Sequence, residues 1–181
     1  MKTRLEFPEL LISKCLTGEG AEIGVLFGEY SAHILANWPG RLHLVDPWEN
    51  QDPEIYTDGC NAVSMRRAFE KARAATVAFG DRANLIREYS TEASLGFREG
   101  QLDFVYLDGN HAYGSVVNDI AGWWPRVRAG GILAGHDYYN RNDDYQQCGV
   151  MAAVNAFISI TGLKLHLTRD DAPLTWWVEK P

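Results

Sequence analysis

Cysteine is scarce in this chain, and its three positions have no visible common purpose. Cys15, Cys60 and Cys148 are odd in number, far apart, and without C-x-x-C or zinc-ligand spacing. That pattern excludes both a disulfide framework and a structural zinc site. Long apolar runs are missing as well. No stretch approaches the roughly 20 residues of a membrane span. The first ten residues carry Glu6 and Glu9 and lack the apolar core of a secretory signal, so the expected compartment is the cytoplasm. There is no Lys/Arg run, and 17 basic against 24 acidic residues leave a net charge of −7, which argues against non-specific attraction to nucleic-acid phosphates. A small or neutral partner fits better. Internal repeats, low-complexity segments and a linker are also absent, so residues 1–181 read as one domain. A chain of this size buries roughly 70% of the surface its unfolded form exposes, so any metal would serve function rather than stability.

What is present is an alternation of short apolar runs and helical patterns. Pro8 to Thr17 reads as a helix stopped by Gly18 and Gly20, and Ala21 to Leu26 as a strand running into Gly28. Ser31 to Trp38 is a helix ended by Pro39-Gly40, and Arg41 to Val45 is the second strand, closed by Asp46-Pro47. The polar, turn-rich segment Glu49 to Gly59 reads as a loop of lid type. Asn61 to Phe79 follows as an amphipathic surface helix, with Val63, Ala68, Phe69, Ala72 and Ala75 near helical spacing. Ala83 to Arg87, Leu102 to Leu107 and Gly131 to Ala134 are the next strands, separated by helices at Thr91 to Phe97 and Tyr113 to Val127. After a helix at Met151 to Thr161, the runs Leu163 to Leu167 and Thr175 to Val178 leave no room for a helix between them and must pair antiparallel. The expected fold is α/β, a doubly wound, Rossmann-like, mostly parallel sheet with an antiparallel C-terminal hairpin.

Two polar clusters follow adjacent buried strands: Asp108-Gly109-Asn110-His111 and His136-Asp137. If those strands are parallel neighbours joined by a right-handed crossover, two acids and two imidazoles meet at one crevice, where open α/β sheets keep their chemistry. His111, three residues after Asp108, is the candidate general base, because neutral imidazole accepts a proton near neutral pH. The competing reading is that His111 caps the helix beginning near Tyr113 and that His136 is a satisfied core histidine; two histidines beside two acids weigh against it. On the other side of the expected crevice, Glu22-Ile23-Gly24 and Gly28 place an acid inside the first strand and glycines four apart, unlike the dinucleotide fingerprint G-x-G-x-x-G. Asp46, at the tip of the second strand, stands where such folds put the carboxylate that accepts ribose hydroxyls. Asp119 reads as a solvent-facing or helix-pairing charge outside the site.

Glu-x-Gly-x-x-x-Gly, Val45-Asp46-Pro47-Trp48, Leu107-Asp108-Gly109-Asn110-His111 and Gly130-Gly131-Ile132-Leu133-Ala134-Gly135-His136-Asp137-Tyr138 together resemble the class I S-adenosylmethionine-dependent methyltransferases. The nearest likeness is to the small bacterial branch with D-G-x-H and G-G-I-L-A-G-H-D-Y elements, the methyltransferase 24-like group. Gly149-Val150 before the last helix and the final Trp176-Trp177-Val178-Glu179-Lys180 extend the resemblance over nearly the whole chain. It implies a seven-stranded sheet with the cofactor's methionine part over the Glu22 to Gly28 turn, which contains Gly24 and is followed by Tyr30 and Ser31. It further implies the ribose at Asp46, the adenine near Trp48 and Ser90-Thr91, and Asp108 at the cofactor's edge. Ser90 departs from the family pattern, which often has an acid there, and Trp48 reads equally well as a packing aromatic.

In related metal-dependent O-methyltransferases, carboxylates after the fourth and fifth strands hold magnesium, which implies Asp108 and Asp137 as ligands, with His136 where some relatives have another acid. Hard cations prefer oxygen, and imidazole suits zinc, iron or manganese better, so the divalent metal and its identity stay open at this point. The expected activity is methyl transfer from S-adenosylmethionine to a small-molecule acceptor, a hydroxyl by preference, with no nucleic-acid or membrane partner and a homodimer as the expected assembly. Two other readings stand beside it: a Rossmann-like nucleotide-cofactor oxidoreductase, and a non-catalytic ligand-binding module that keeps the fold.

Overall fold

The structure is a computed structural model that describes residues 1–49, 65–142 and 147–181. The first half runs through helix α1 (Phe7–Ser13), strand β1 (Glu19–Ile23), helix α2 (Glu29–Asn37), strand β2 (Arg41–Val45), helix α3 (Met65–Thr76), strand β3 (Ala83–Ile86) and helix α4 (Ser90–Leu95). Strand β4 (Leu102–Leu107), helix α5 (Tyr113–Trp123), strand β5 (Val127–Gly135) and the two-residue strands β6 (Arg141–Asn142) and β7 (Gln147–Cys148) follow. Helix α6 (Val150–Thr161) and strands β8 (His166–Leu167) and β9 (Trp176–Glu179) complete the chain.

Seven strands share one sheet in the order β3-β2-β1-β4-β5-β9-β8. The first five are parallel, β9 runs antiparallel to β5, and β8 is antiparallel to β9, so β9 is the one reversed strand. This is the Rossmann-like α/β sheet with a C-terminal hairpin that the alternation of patterns predicts. Because successive side chains on a strand point to opposite faces, Leu42, Leu44, Phe104 and Tyr106 pack under α1, α2 and α3, while Ala21, Ile23, Val105 and Leu107 pack under α4, α5 and α6. Aromatic side chains fill the first layer: Phe104 meets Phe7 edge-on at 5.3 Å and Trp38 at 5.0 Å, and Trp38 Nε1 donates to the Leu16 carbonyl at 2.6 Å.

Element ends differ from the sequence reading for local reasons. Helix α5 stops at Trp123 because Pro125 has no N–H to continue it, and a 3-10 turn carries Trp124–Arg126 into a strand β5 longer than expected. The hydrophobic run before β8 contributes only two strand residues. Part of the polar loop after Tyr139 forms a ladder between β6 and β7. The expected lid beyond Glu49, the first residues of the helix expected from Asn61, Cys60 and the centre of the polar loop lie outside the described residues. Among the described residues no helix is long and apolar enough to cross a membrane.

The chain leaves β1 toward β2 on one side, while β4 pairs with β1 on the other. Connections therefore diverge between β1 and β4, and a crevice opens beyond their C-terminal ends.

Candidate active site

A cavity of about 510 Å³ lies in that crevice, within the range that small-molecule sites occupy. One rim is the bend after β1. Gly24 has φ +86°, and a Cβ there would sit 2.2 Å from the Asp108 carbonyl oxygen, so only glycine lets the bend pass against the end of β4. Asp46 fixes the next turn: its Oδ2 accepts the N–H groups of Val25 at 3.0 Å and Leu26 at 2.9 Å, and its Oδ1 accepts Trp48 N–H at 2.7 Å. Under the bend Glu22 is 1% exposed, with Ser31 Oγ donating to its Oε2. Burial pushes the Glu22 carboxyl up to about 8, against the Ser31 hydrogen bond, which lowers it. A buried acid of this kind, lining an open cavity, suits a ligand that brings a positive charge.

The opposite rim gathers the expected acids and imidazoles. His111 Nε2 lies 3.2 Å from Asp137 Oδ2 and 3.7 Å from Asp108 Oδ1, and His136 Nδ1 lies 3.0 Å from Asp137 Oδ2. Sheet pairing sets this convergence, because Asp108 N–H donates to the Ile23 carbonyl at 2.7 Å and His136 N–H to the Leu107 carbonyl at 3.0 Å. The loop is pinned in turn by Asn110, whose Oδ1 accepts Ala112 N–H at 2.8 Å, and by the His111 carbonyl, which accepts Gly149 N–H at 2.8 Å. Burial works to raise the Asp137 carboxyl, but the His136 hydrogen bond and the imidazoles of His111 and His136 outweigh it and hold the group below the usual range.

Among the described residues, Asp108, His111 and Asp137 bring donor atoms within 4.8 Å of one another. This adds His111 to the acids the sequence suggested; His136, expected beside them, has its Nδ1 3.0 Å from Asp137 Oδ2 and 3.9 Å from Asp108 Oδ1. Two carboxylates and an imidazole form a donor set open to manganese, iron or zinc, and a poorer one for magnesium.

Other expected residues fall differently. Glu22, Gly24, Tyr30, Asp46, Ser90, Thr91 and Asp108 line the cavity. Gly28, in a left-handed conformation, caps α2 and packs on Ala72 beneath the bend, and Ser31 is fully buried behind Glu22. Trp48 does not line the cavity. It is 1% exposed, its Nε1 donates to the Leu26 carbonyl at 2.9 Å, and its ring meets Phe69 at 5.0 Å, so its large apolar surface is spent on packing. Asp119 corrects the sequence reading in the other direction: it is 7% exposed, lines the cavity and accepts the Ser90 hydroxyl. Burial pushes its carboxyl up to about 6, with the Ser90 bond opposing. Its position three residues after Val116 and four before Trp123, on the apolar stripe of α5, is the signal that could have found it. Arg4, on the 3-10 turn Arg4–Glu6, lines the cavity and pairs with Asp108 at 3.2 Å, and no motif announces it.

A family model described as a methyltransferase domain matches residues 21–138, which include both rims. The chain belongs to the methyltransferase-domain family. The resemblance read from its motifs therefore holds at the level of the family. The O-methyltransferase from Bacillus cereus, solved in complex with SAH, is similar at TM-score 0.67 and 13% identity, over 98% of this chain and 80% of that one. The O-methyltransferase NovP gives TM-score 0.68 at 18% identity, again over 98% of this chain and 80% of that one. A Corynebacterium glutamicum protein gives 0.67 at 18% identity, covering 97% of this chain and 81% of that one. At such identities the likeness is one of fold. A search of curated proteins finds no matching sequence.

Proposed function

We propose that this methyltransferase domain uses S-adenosylmethionine to methylate a hydroxyl of a small-molecule acceptor, with His111 as general base. The observation that carries the reading is the pairing of a buried, cation-seeking acid at Glu22 with an acid-braced imidazole at His111 on facing rims of one cavity. The family match and the SAH complex of a structural neighbour support the cofactor.

When bound, the cofactor supplies an electrophilic methyl group on a sulfonium. The side chains around the cavity then play distinct parts. Glu22 meets the ammonium end and ionises as the positive charge arrives. Asp46 keeps two roles: it holds the Val25, Leu26 and Trp48 amides, and the one lone-pair site left on Oδ1 accepts a ribose hydroxyl. Ser90 and Asp119 form a polar edge for the base. In-line displacement depends mainly on alignment and on removal of water. The His111 imidazole, its buried Nε2 set against Asp137, takes the acceptor's proton, and Asp137, held by His136, stabilises the imidazolium that results.

A second reading follows from the donor atoms of Asp108, His111 and Asp137, which would hold a divalent cation that lowers the acceptor's pKa. Arg4 already brings a positive charge to Asp108, which favours the metal-free reading. The deciding experiment is an assay of S-adenosylhomocysteine release across phenols, sugars and amines, with and without EDTA. Turnover on hydroxyl acceptors that persists in EDTA is expected. Loss in EDTA transfers the role to a cation, and turnover on amines alone overturns O-methylation.

A further inference from the structure

Among the described residues Arg4 is the only lysine or arginine that lines the cavity, and its backbone is held from two sides. Its N–H donates to Asp171 Oδ2 at 2.7 Å, and its carbonyl accepts the Tyr30 hydroxyl at 3.0 Å. The guanidinium carbon then lies 4.6 Å from the centre of the Tyr30 ring, while Nη1 reaches Asp108 Oδ2 at 3.2 Å. A long side chain is thus fixed at the end of the cavity where Glu22 is buried. The side chain remains 32% exposed, so it is reachable from the cavity.

We propose that Arg4 is the receptor for the α-carboxylate of the cofactor's amino-acid part, and that this zwitterion inserts between Arg4 and the acids Asp108 and Glu22. The inference rests on the cofactor reading above and names a contact that reading does not contain. Arg4 spends one donor on Asp108, and a guanidinium has five in a planar fork, so a carboxylate can be taken in two-point fashion. An amine without a carboxylate would meet the guanidinium with like charge. A carboxylate without an amine would meet Glu22 and Asp108. Only a ligand carrying both charges on one carbon answers both ends, which makes the free protein's Arg4–Asp108 pair a placeholder for the bound state.

The test compares three ligands by calorimetry on the full chain: S-adenosylhomocysteine, its decarboxylated analogue, and methylthioadenosine, which lacks the amino-acid part. On the unaltered protein, removal of the carboxylate alone is expected to weaken binding at least tenfold. Arg4→Gln should weaken S-adenosylhomocysteine by a similar factor, leave methylthioadenosine within about twofold, and erase the difference made by the carboxylate; Arg4→Lys should restore part of it. Equal affinity for the first two ligands on the unaltered protein overturns the proposal, and needs no variant that must fold. A carboxylate difference that survives undiminished in Arg4→Gln overturns it too. If the unaltered protein binds none of the three, it is the cofactor reading that fails.

Discussion

Glu22 and Asp137 are carboxylic acids at the ends of parallel strands in the same sheet, both largely withdrawn from water, and burial acts to raise the pKa of each. They end on opposite sides of the ordinary range. Glu22 has a hydroxyl against it and stays protonated near neutral pH, whereas Asp137 has two imidazoles and stays ionised. Desolvation decides the charge of Glu22, where the Ser31 hydroxyl opposes it without overturning it, whereas at Asp137 the two imidazoles override it. On the proposed function, one rim receives a cation and the other stabilises one that forms during reaction.

The sharpest way to break this contrast is to remove the ionised acid. Asp137→Asn leaves a side chain of the same size but no charge to stabilise the His111 imidazolium, so turnover is expected to fall by about 10²–10⁴. S-adenosylhomocysteine affinity, read by calorimetry, should stay near that of the unaltered protein, and unchanged turnover would leave the imidazole rim without a catalytic part. Next in size, Gly24→Ala forces a methyl group against the Asp108 carbonyl at a positive φ, where the two rims meet. A loss of about 3 kcal/mol or more in thermal or urea unfolding is expected, from overpacking and backbone strain together.

Glu22→Gln sharpens the comparison from the other rim. With a folded pKa of about 8 against an ordinary value of 4.5, the folded protein holds a proton that the unfolded chain has already lost, so this group's contribution to stability is full below 4.5 and declines as pH rises through 8. Urea unfolding from pH 5 to 9 should show that decline in the unaltered protein and a flatter profile in Glu22→Gln; identical slopes would place the proton elsewhere. The smallest effect belongs to Ser90→Ala, which strips the hydroxyl that receives Trp123 Nε1–H at 2.9 Å and donates to Asp119. Two buried polar groups then lose a partner, and a destabilisation of about 1–3 kcal/mol is expected by the same unfolding measurement.

The strand and helix order, and with it the meeting of Asp108, His111 and Asp137, was legible because apolar runs bounded by turn residues constrain a parallel sheet to few topologies. Trp48 was not legible in the same way, since a tryptophan at a strand tip can stack on a ligand or pack on a neighbour, and Phe69, which decides between them, lies on another element. Asp119 was misread although its helical register was visible, because a carboxylate on a helix is expected to face solvent even where its position falls on the apolar stripe. Arg4 could not be read at all. Its pairing with Asp108 spans 104 positions and depends on Tyr30 and Asp171, neither of which any local pattern links to residue 4.

The Lys2 carbonyl accepts the N–H groups of both Arg169 and Asp170, at 3.0 and 2.9 Å, beside the Arg4 contact to Asp171. The first few residues are thereby laced to the connection between β8 and β9, at the sheet edge farthest from β3. Anyone transplanting this crevice onto another scaffold would have to carry residues 168–175 along with it, since without that anchor the Arg4 backbone loses its Asp171 acceptor and keeps its bond from the Tyr30 hydroxyl.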